Sequence, residues 1–100
     1  MDPETPDISI SDVVISKAGR DKNQWYYVIG TEGENLLLAN GENRNLDRPK
    51  RKKRKHVDKV LRSETRVAAK IKSGDKVLNG ELRRDLAFLS QCMQANNLGG

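Results

Sequence analysis

Cysteine is almost absent from the 100-residue chain: Cys92 stands alone. One thiol can neither close a disulfide loop nor assemble a structural metal site with the single histidine, His56. A reducing compartment is implied, and no metal or other cofactor is expected. Long apolar runs are missing too. No stretch approaches the roughly 20 residues that a membrane-crossing helix needs. The first residues, with Asp2, Glu4 and Asp7, carry the wrong charge for a secretory or organelle signal. A cytoplasmic protein with no membrane partner is expected. Aromatic residues number only four, too few for a single-strand reader that stacks successive bases. Ser and Asp are present, yet no nucleophile elbow, phosphate loop or metal-ligand spacing gathers them, so no enzyme is expected.

What remains is enough for one small core. Hydrophobic residues make up 35% of the chain, and Leu, Ile, Val and Phe together account for 23 of its 100 residues, above the rough 20% level at which a charged chain reads as disordered. A single compact unit, taken as a monomer, is expected. Its charge is uneven. The formal net charge is +5, but the window from Arg44 to Arg62 holds ten basic and two acidic residues, so everything outside it is mildly acidic. Folding gains nothing from concentrated like charge, and the pattern points to a polyanionic partner.

Residues 1–11 read as an acidic flexible tail. From Asp12 the pattern changes to short runs rich in β-branched and aromatic residues bounded by turn formers, the signature of strands and hairpins. Three strands are expected, at Val13–Ser16, Trp25–Ile29 and Leu36–Ala39. Asn40-Gly41 suits a two-residue primed hairpin turn, leading to a fourth strand through Arg44 to Leu46. The second and third runs are apolar at consecutive positions, which implies that both sheet faces are covered. Seven of the eight positions from Arg48 to Lys55 are basic, with Pro49 the exception. Alternation would send Lys50, Lys52 and Arg54 to one face and Arg51, Lys53 and Lys55 to the other. A dry interior would cost either row several kcal/mol per unpaired charge. The stretch 48–56 is therefore expected as an edge segment or projecting arm, with Val57, Val60 and Leu61 re-anchoring the chain. A helical extension is expected over 63–100. It comprises a short helix with Val67, Ala68 and Ile71 on one side, ended near Gly74, and a second begun by Asn79 as N-cap. That second helix presents Leu82, Leu86, Leu89 and Met93 as one stripe, with Phe88 and Cys92 on its flank.

The basic run is the strongest functional signal and reads as phosphate contact with counterion release. Pro49–Lys55 also has the look of a short nuclear-import peptide. Trp25, Tyr26 and Tyr27 sit inside a strand, where core or lid packing is favoured over base stacking. Recognition by backbone and shape then makes structured RNA the preferred ligand.

The segment Val13-Val-Ile-Ser-Lys-Ala-Gly-Arg-Asp-Lys22 followed by Tyr27-Val-Ile29 resembles a KOW domain, the short β motif of several ribosomal proteins and some transcription elongation factors. Ser16–Asp21, then Leu37-Leu38 with Asn40-Gly41, then the basic run closing on Lys55-His56-Val57, is similar to the large-subunit ribosomal protein "fourteen-e" family and its small bacterial relatives. Ile71–Arg84 also looks like the tail of those bacterial proteins. The resemblance covers about half the chain. It implies an SH3-like small β-barrel over 12–62, followed by one or two helices, that binds RNA, foremost ribosomal RNA. Gly19 would supply a tight turn or close approach, flanked by Lys17, Arg20 and Lys22. Where the motif commonly has a Gly after its lysine this chain has Asn23, the residue next most tolerant of positive φ. The expected RNA-binding set is Lys17, Gly19, Arg20, Lys22, Arg44, Arg48, Lys50, Arg51, Lys52, Lys53, Arg54 and Lys55. The alternative is a protein-interaction adaptor in transcription or translation, docking through the barrel and the Leu82–Met93 stripe.

Overall fold

The computed structural model describes residues 7–99, and the first six residues of the expected tail lie outside that range. Five strands form one antiparallel sheet: β1 (Asp12–Ser16), β2 (Trp25–Glu32), β3 (Asn35–Ala39), β4 (Lys50–Lys53) and β5 (Val57–Arg62). Their order is β4-β3-β2-β1-β5. Helices α1 (Arg66–Ser73) and α2 (Asn79–Gly99) follow.

Alternation along each strand sorts the apolar residues into two layers. Val14, Tyr26, Val28, Leu36, Leu38 and Val57 form the inner cluster. Val13, Tyr27 and Ala39 face the other way, against Val67 and Ala68 of α1 and Leu82 and Leu86 of α2. Both faces are covered, as the consecutive apolar runs require. Leu82 is fully buried and Leu86 is 6% exposed, so the Leu82–Leu86 part of the α2 stripe packs on this chain's own sheet. Tyr27 ties the layers together: its hydroxyl meets Ser63 and Thr65, and donates to the Asp85 carboxylate of α2. Burial, and then that carboxylate, push the Tyr27 phenol up to about 12.

The register of the sheet slips at two places. Pairing shifts between Val13 and Val14 against β5, and between Val28 and Gly30 against β3. Such irregularities add local twist.

Three expectations are corrected. Residues 8–11 are no tail: Ile8 is 3% exposed within the inner cluster, and the Ser11 amide donates to the Val28 carbonyl at 2.8 Å. An apolar residue at position 8 gains more by joining the core than the acidic neighbours lose by being held near it. Second, Asn40-Gly41 makes no two-residue turn, and Arg44–Leu46 is no strand. The partner of β3 begins only at Lys50, opposite Leu38. Between them the Asn40 side chain accepts the Glu42 and Arg44 amides at 3.0 and 3.1 Å, curling the loop on itself as asparagine commonly does. Third, Asn79 does not cap α2. Its side-chain oxygen accepts the Leu46 amide at 2.8 Å, while Glu81 accepts the Leu78 amide at 3.2 Å, the carboxylate half of a capping box. Thr65 does cap α1, accepting from the Ala68 amide, and Gly74 at φ 77° ends it.

The loop therefore docks on the start of α2, and Gly41 is the point of contact. A Cβ at Gly41, where φ is 75°, would lie 2.1 Å from the Asn79 carbonyl oxygen. At Gly33, where φ is 63°, nothing lies within 4 Å. Gly33→Ala is expected to cost about 1–2 kcal/mol from backbone strain alone. Gly41→Ala is expected to cost at least about 3 kcal/mol, because close-packed backbone cannot give way. Urea unfolding midpoints at constant slope test this, and equal losses at the two sites would contradict the close approach.

Candidate nucleic-acid interface

Cross-strand pairing fixes what the basic run does. Leu36 stands opposite Lys52 and Leu38 opposite Lys50, and directly opposed residues share a face. Lys50 and Lys52 therefore turn inward with the two leucines, and Arg51 and Lys53 turn out. The edge placement expected of this stretch holds; a projecting arm does not form.

The inward lysines are accommodated by Asp21, in the middle of the β1–β2 turn. Its carboxylate accepts Lys52 Nζ at 2.8 Å and Ser16 Oγ at 3.0 Å through one oxygen, and Lys50 Nζ at 2.8 Å and the Tyr26 hydroxyl at 3.1 Å through the other. The Lys52 and Asp21 side chains are each 8% exposed. Lys52 also donates to Ser16 Oγ and to the Ala18 carbonyl, so its three N–H donors all have partners. Burial by itself would raise the Asp21 pKa. The bonds from Lys50, Lys52, Ser16 and Tyr26 outweigh that and hold the carboxyl well below the usual carboxylate range. Tyr26 moves the other way, pushed up to about 12 by burial and by the adjacent Asp21 charge.

The turn carrying Asp21 is shaped for this contact. Gly19 has φ 86° and Asn23 φ 75°, so both tolerant residues adopt the left-handed conformation expected of them. A Cβ at Gly19 would meet Asp21 Oδ1 at 3.4 Å and Lys52 Nζ at 3.9 Å: the close approach at Gly19 is to the chain's own ion cluster. Lys17 pairs with Asp58 at 3.4 Å across exposed surface, a contact of little energetic weight. Its amide donates to the His56 carbonyl at 2.9 Å, which brings the β1–β2 turn beside the short helical turn Arg54–His56.

The remaining candidates divide. Arg54 Nη1 donates to the Ile8 carbonyl at 2.8 Å and Nε to the Gly33 carbonyl at 2.9 Å, strapping the N-terminal segment to the β2–β3 hairpin. Arg51 pairs with Glu32 at 3.0 Å, both well exposed. Arg20, Lys22, Arg44, Arg48, Lys53 and Lys55 are exposed, and among the described residues none of the six makes an ion pair. Pro49–Lys55, read also as an import peptide, lies largely in β4 with two lysines buried or half-buried. A receptor would have to peel the edge strand away to grip it in extended form.

Sequence reasoning missed Asp21 as the organiser. The sequence carries one sign of it, a single acid among the basic residues of the turn motif Lys17–Lys22.

No family model matches the chain, and no curated protein matches it.

The electrostatics carry a testable consequence. The unfolded chain takes up a proton on Asp21 near pH 3.9, whereas the folded carboxyl resists protonation to lower pH. Its stabilisation is therefore complete above the unfolded value and is lost as pH falls through the folded one. Relative to Asp21→Asn, the wild-type protein is expected to hold its advantage at pH 7 and lose it progressively below about pH 4. At pH 7, Lys52→Ala is expected to cost about 3 kcal/mol, since it breaks a buried pair. Lys53→Ala, one residue along and exposed, is expected to cost under about 0.5 kcal/mol. Comparable losses at Lys52 and Lys53 in urea unfolding would rule out the inward placement.

Proposed function

We propose that the protein is a non-catalytic RNA-binding module of KOW type, acting in the cytoplasm on structured RNA, ribosomal RNA foremost. The contacts are phosphate contacts from Lys17, Arg20, Lys22, Arg44, Arg48, Arg51, Lys53 and Lys55. Lys50, Lys52, Arg54 and Gly19 serve by holding the β1–β2 turn and the β4 edge in place. The observation that carries this reading is the split of the basic run. With Lys50 and Lys52 paired inward on Asp21, exposed cations that have no carboxylate partner among the described residues remain on the β4 edge, the adjoining turns and the 40–49 loop. Folding alone gives no reason to keep them, and neutralising phosphates does.

We further take the sheet to be an SH3-like barrel. The strand order, the two register slips, and the reach of Lys52 from edge strand β4 to Ser16 of β1, the neighbour of the opposite edge, favour a sheet curled toward closure. The adaptor alternative has less in its favour, because the Leu82–Leu86 part of its docking stripe is core.

The test follows from the split. A variant carrying Arg20→Ala, Lys22→Ala, Lys53→Ala and Lys55→Ala is expected to fold normally and to bind a ribosomal RNA hairpin more weakly. The log–log salt slope should shrink by about 3, at roughly 0.7–0.9 per lost phosphate contact. Undiminished affinity at low salt would refute the proposal. The variant Lys52→Ala, Lys53→Ala, Arg54→Ala, which the bare sequence suggests would spare the fold, is unsuitable because two of its three side chains hold the structure together.

A further inference from the structure

The aromatic triplet of β2 does not act as a unit. Tyr26 and Tyr27 are core at 1% and 0% exposure, whereas Trp25 is only partly buried and lines a cleft of about 330 Å³. The cleft lies between the end of the β1–β2 turn, the loop after β3, and α2. Besides Trp25, its walls include Gln24, Glu42, Arg83, Leu86 and Ser90. An indole and a leucine supply apolar surface, while an amide, a carboxylate, a guanidinium and a hydroxyl stand around it as donors and acceptors. That combination suits a flat heterocycle with hydrogen-bonding edges better than an aliphatic or a purely ionic group.

Position adds a second argument. Gln24 is two residues from Lys22, and Glu42 is two residues from Arg44, both exposed cations without an ion-pair partner among the described residues. The two rims are joined, since the Asn43 side chain donates to Gln24 Oε1 at 3.0 Å. Arg83 of α2 is exposed on the third wall. A polyanionic strand held by Lys22 and Arg44 would pass close to residues of the cleft wall.

We propose that this cleft receives one unpaired base of the bound RNA, stacked on Trp25 and met at its edge by Gln24, Glu42, Arg83 or Ser90. The proposal rests on the RNA-binding reading above. It gives the protein a preference for a bulge or loop beside a helix, which phosphate contacts alone do not supply.

Trp25 is the only tryptophan, so its fluorescence reports on the cleft directly. The full-length protein is titrated with a hairpin RNA bearing an unpaired loop and with a fully paired duplex of equal length, and affinities are measured separately at low salt. The loop RNA is expected to quench the indole and the duplex to bind without quenching. Trp25→Ala should lower affinity for the loop RNA about tenfold, within the range for one lost stack, and leave the duplex unchanged. Because Trp25 also touches the core, Ala87→Leu provides a second variant. Ala87 is an exposed helical residue on the cleft wall, and the larger side chain should obstruct stacking, abolish quenching and reproduce the loss for loop RNA alone. If both RNAs bind equally, the indole emission is unmoved and Ala87→Leu has no effect, the cleft assignment is overturned while the phosphate reading stands, and a protein side chain becomes the better occupant. If neither RNA binds, both fall.

Discussion

One carboxylate decides how this chain handles its charge. Asp21 accepts from two lysines, a serine and a tyrosine that come from β4, β1 and β2. An unpaired ammonium at the position of Lys52 would carry a desolvation cost of several kcal/mol, enough to remove much of a small domain's total stability. Paired with Asp21 and bonded also to Ser16 and Ala18, the same ammonium becomes a clamp that joins the β1–β2 turn to the edge of the sheet. The direction of the Asp21 shift shows that hydrogen bonding outweighs desolvation here. The site is thus one in which the charged state is the stable one.

The clamp organises what surrounds it. With β4 fixed by its inward row, Arg54 follows at the correct side to reach the Ile8 carbonyl, which seats the N-terminal segment on the inner cluster. On the opposite face, Tyr27 reaches through Ser63 and Thr65 to Asp85 and joins the sheet to α2. Two buried tyrosines on consecutive residues of one strand therefore anchor two different layers. Each has its hydroxyl satisfied, as burial of a phenol requires.

Much of this architecture is legible from residue pattern. The first three strands, the re-anchoring at Val57, the short helix ended by Gly74 and the stripe of α2 follow from local periodicity and turn chemistry, and local rules suffice for them. What the pattern cannot carry is choice among long-range partners. Asn40-Gly41 satisfies the local rule for a hairpin, yet the Asn40 side chain has backbone amides two and four residues ahead to accept, and the Gly41 backbone has α2 to lie against. Asn79 is a good N-cap by type, but its side chain is taken by Leu46, 33 residues away. Ile8 reads as part of a polar tail until the inner cluster exists to receive it. For the candidate interface the limit is the same. Alternation separates Lys50 and Lys52 from Arg51 and Lys53, but which row faces inward depends on Asp21, 31 residues from Lys52.

The inward row also changes what the outward row can do. Flexible lysines on a mobile arm lose rotamer and backbone freedom when they engage a ligand, at about 0.5–1.5 kcal/mol for each immobilised side chain in addition to the ordering of the chain. In β4 the backbone ordering is already complete in the free protein. Arg51 and Lys53 are held by ladder hydrogen bonds to β3 and by the anchored residues on either side of them, with alternate side chains about 7 Å apart along one face. A sequence that placed only unpaired cations here would have more charge to offer and less order. By turning two of its lysines inward against an aspartate, the chain gives up contact number for a fixed array. Under the proposed reading that fixed array favours a partner of defined shape, a folded polyanion, over one that is merely negative.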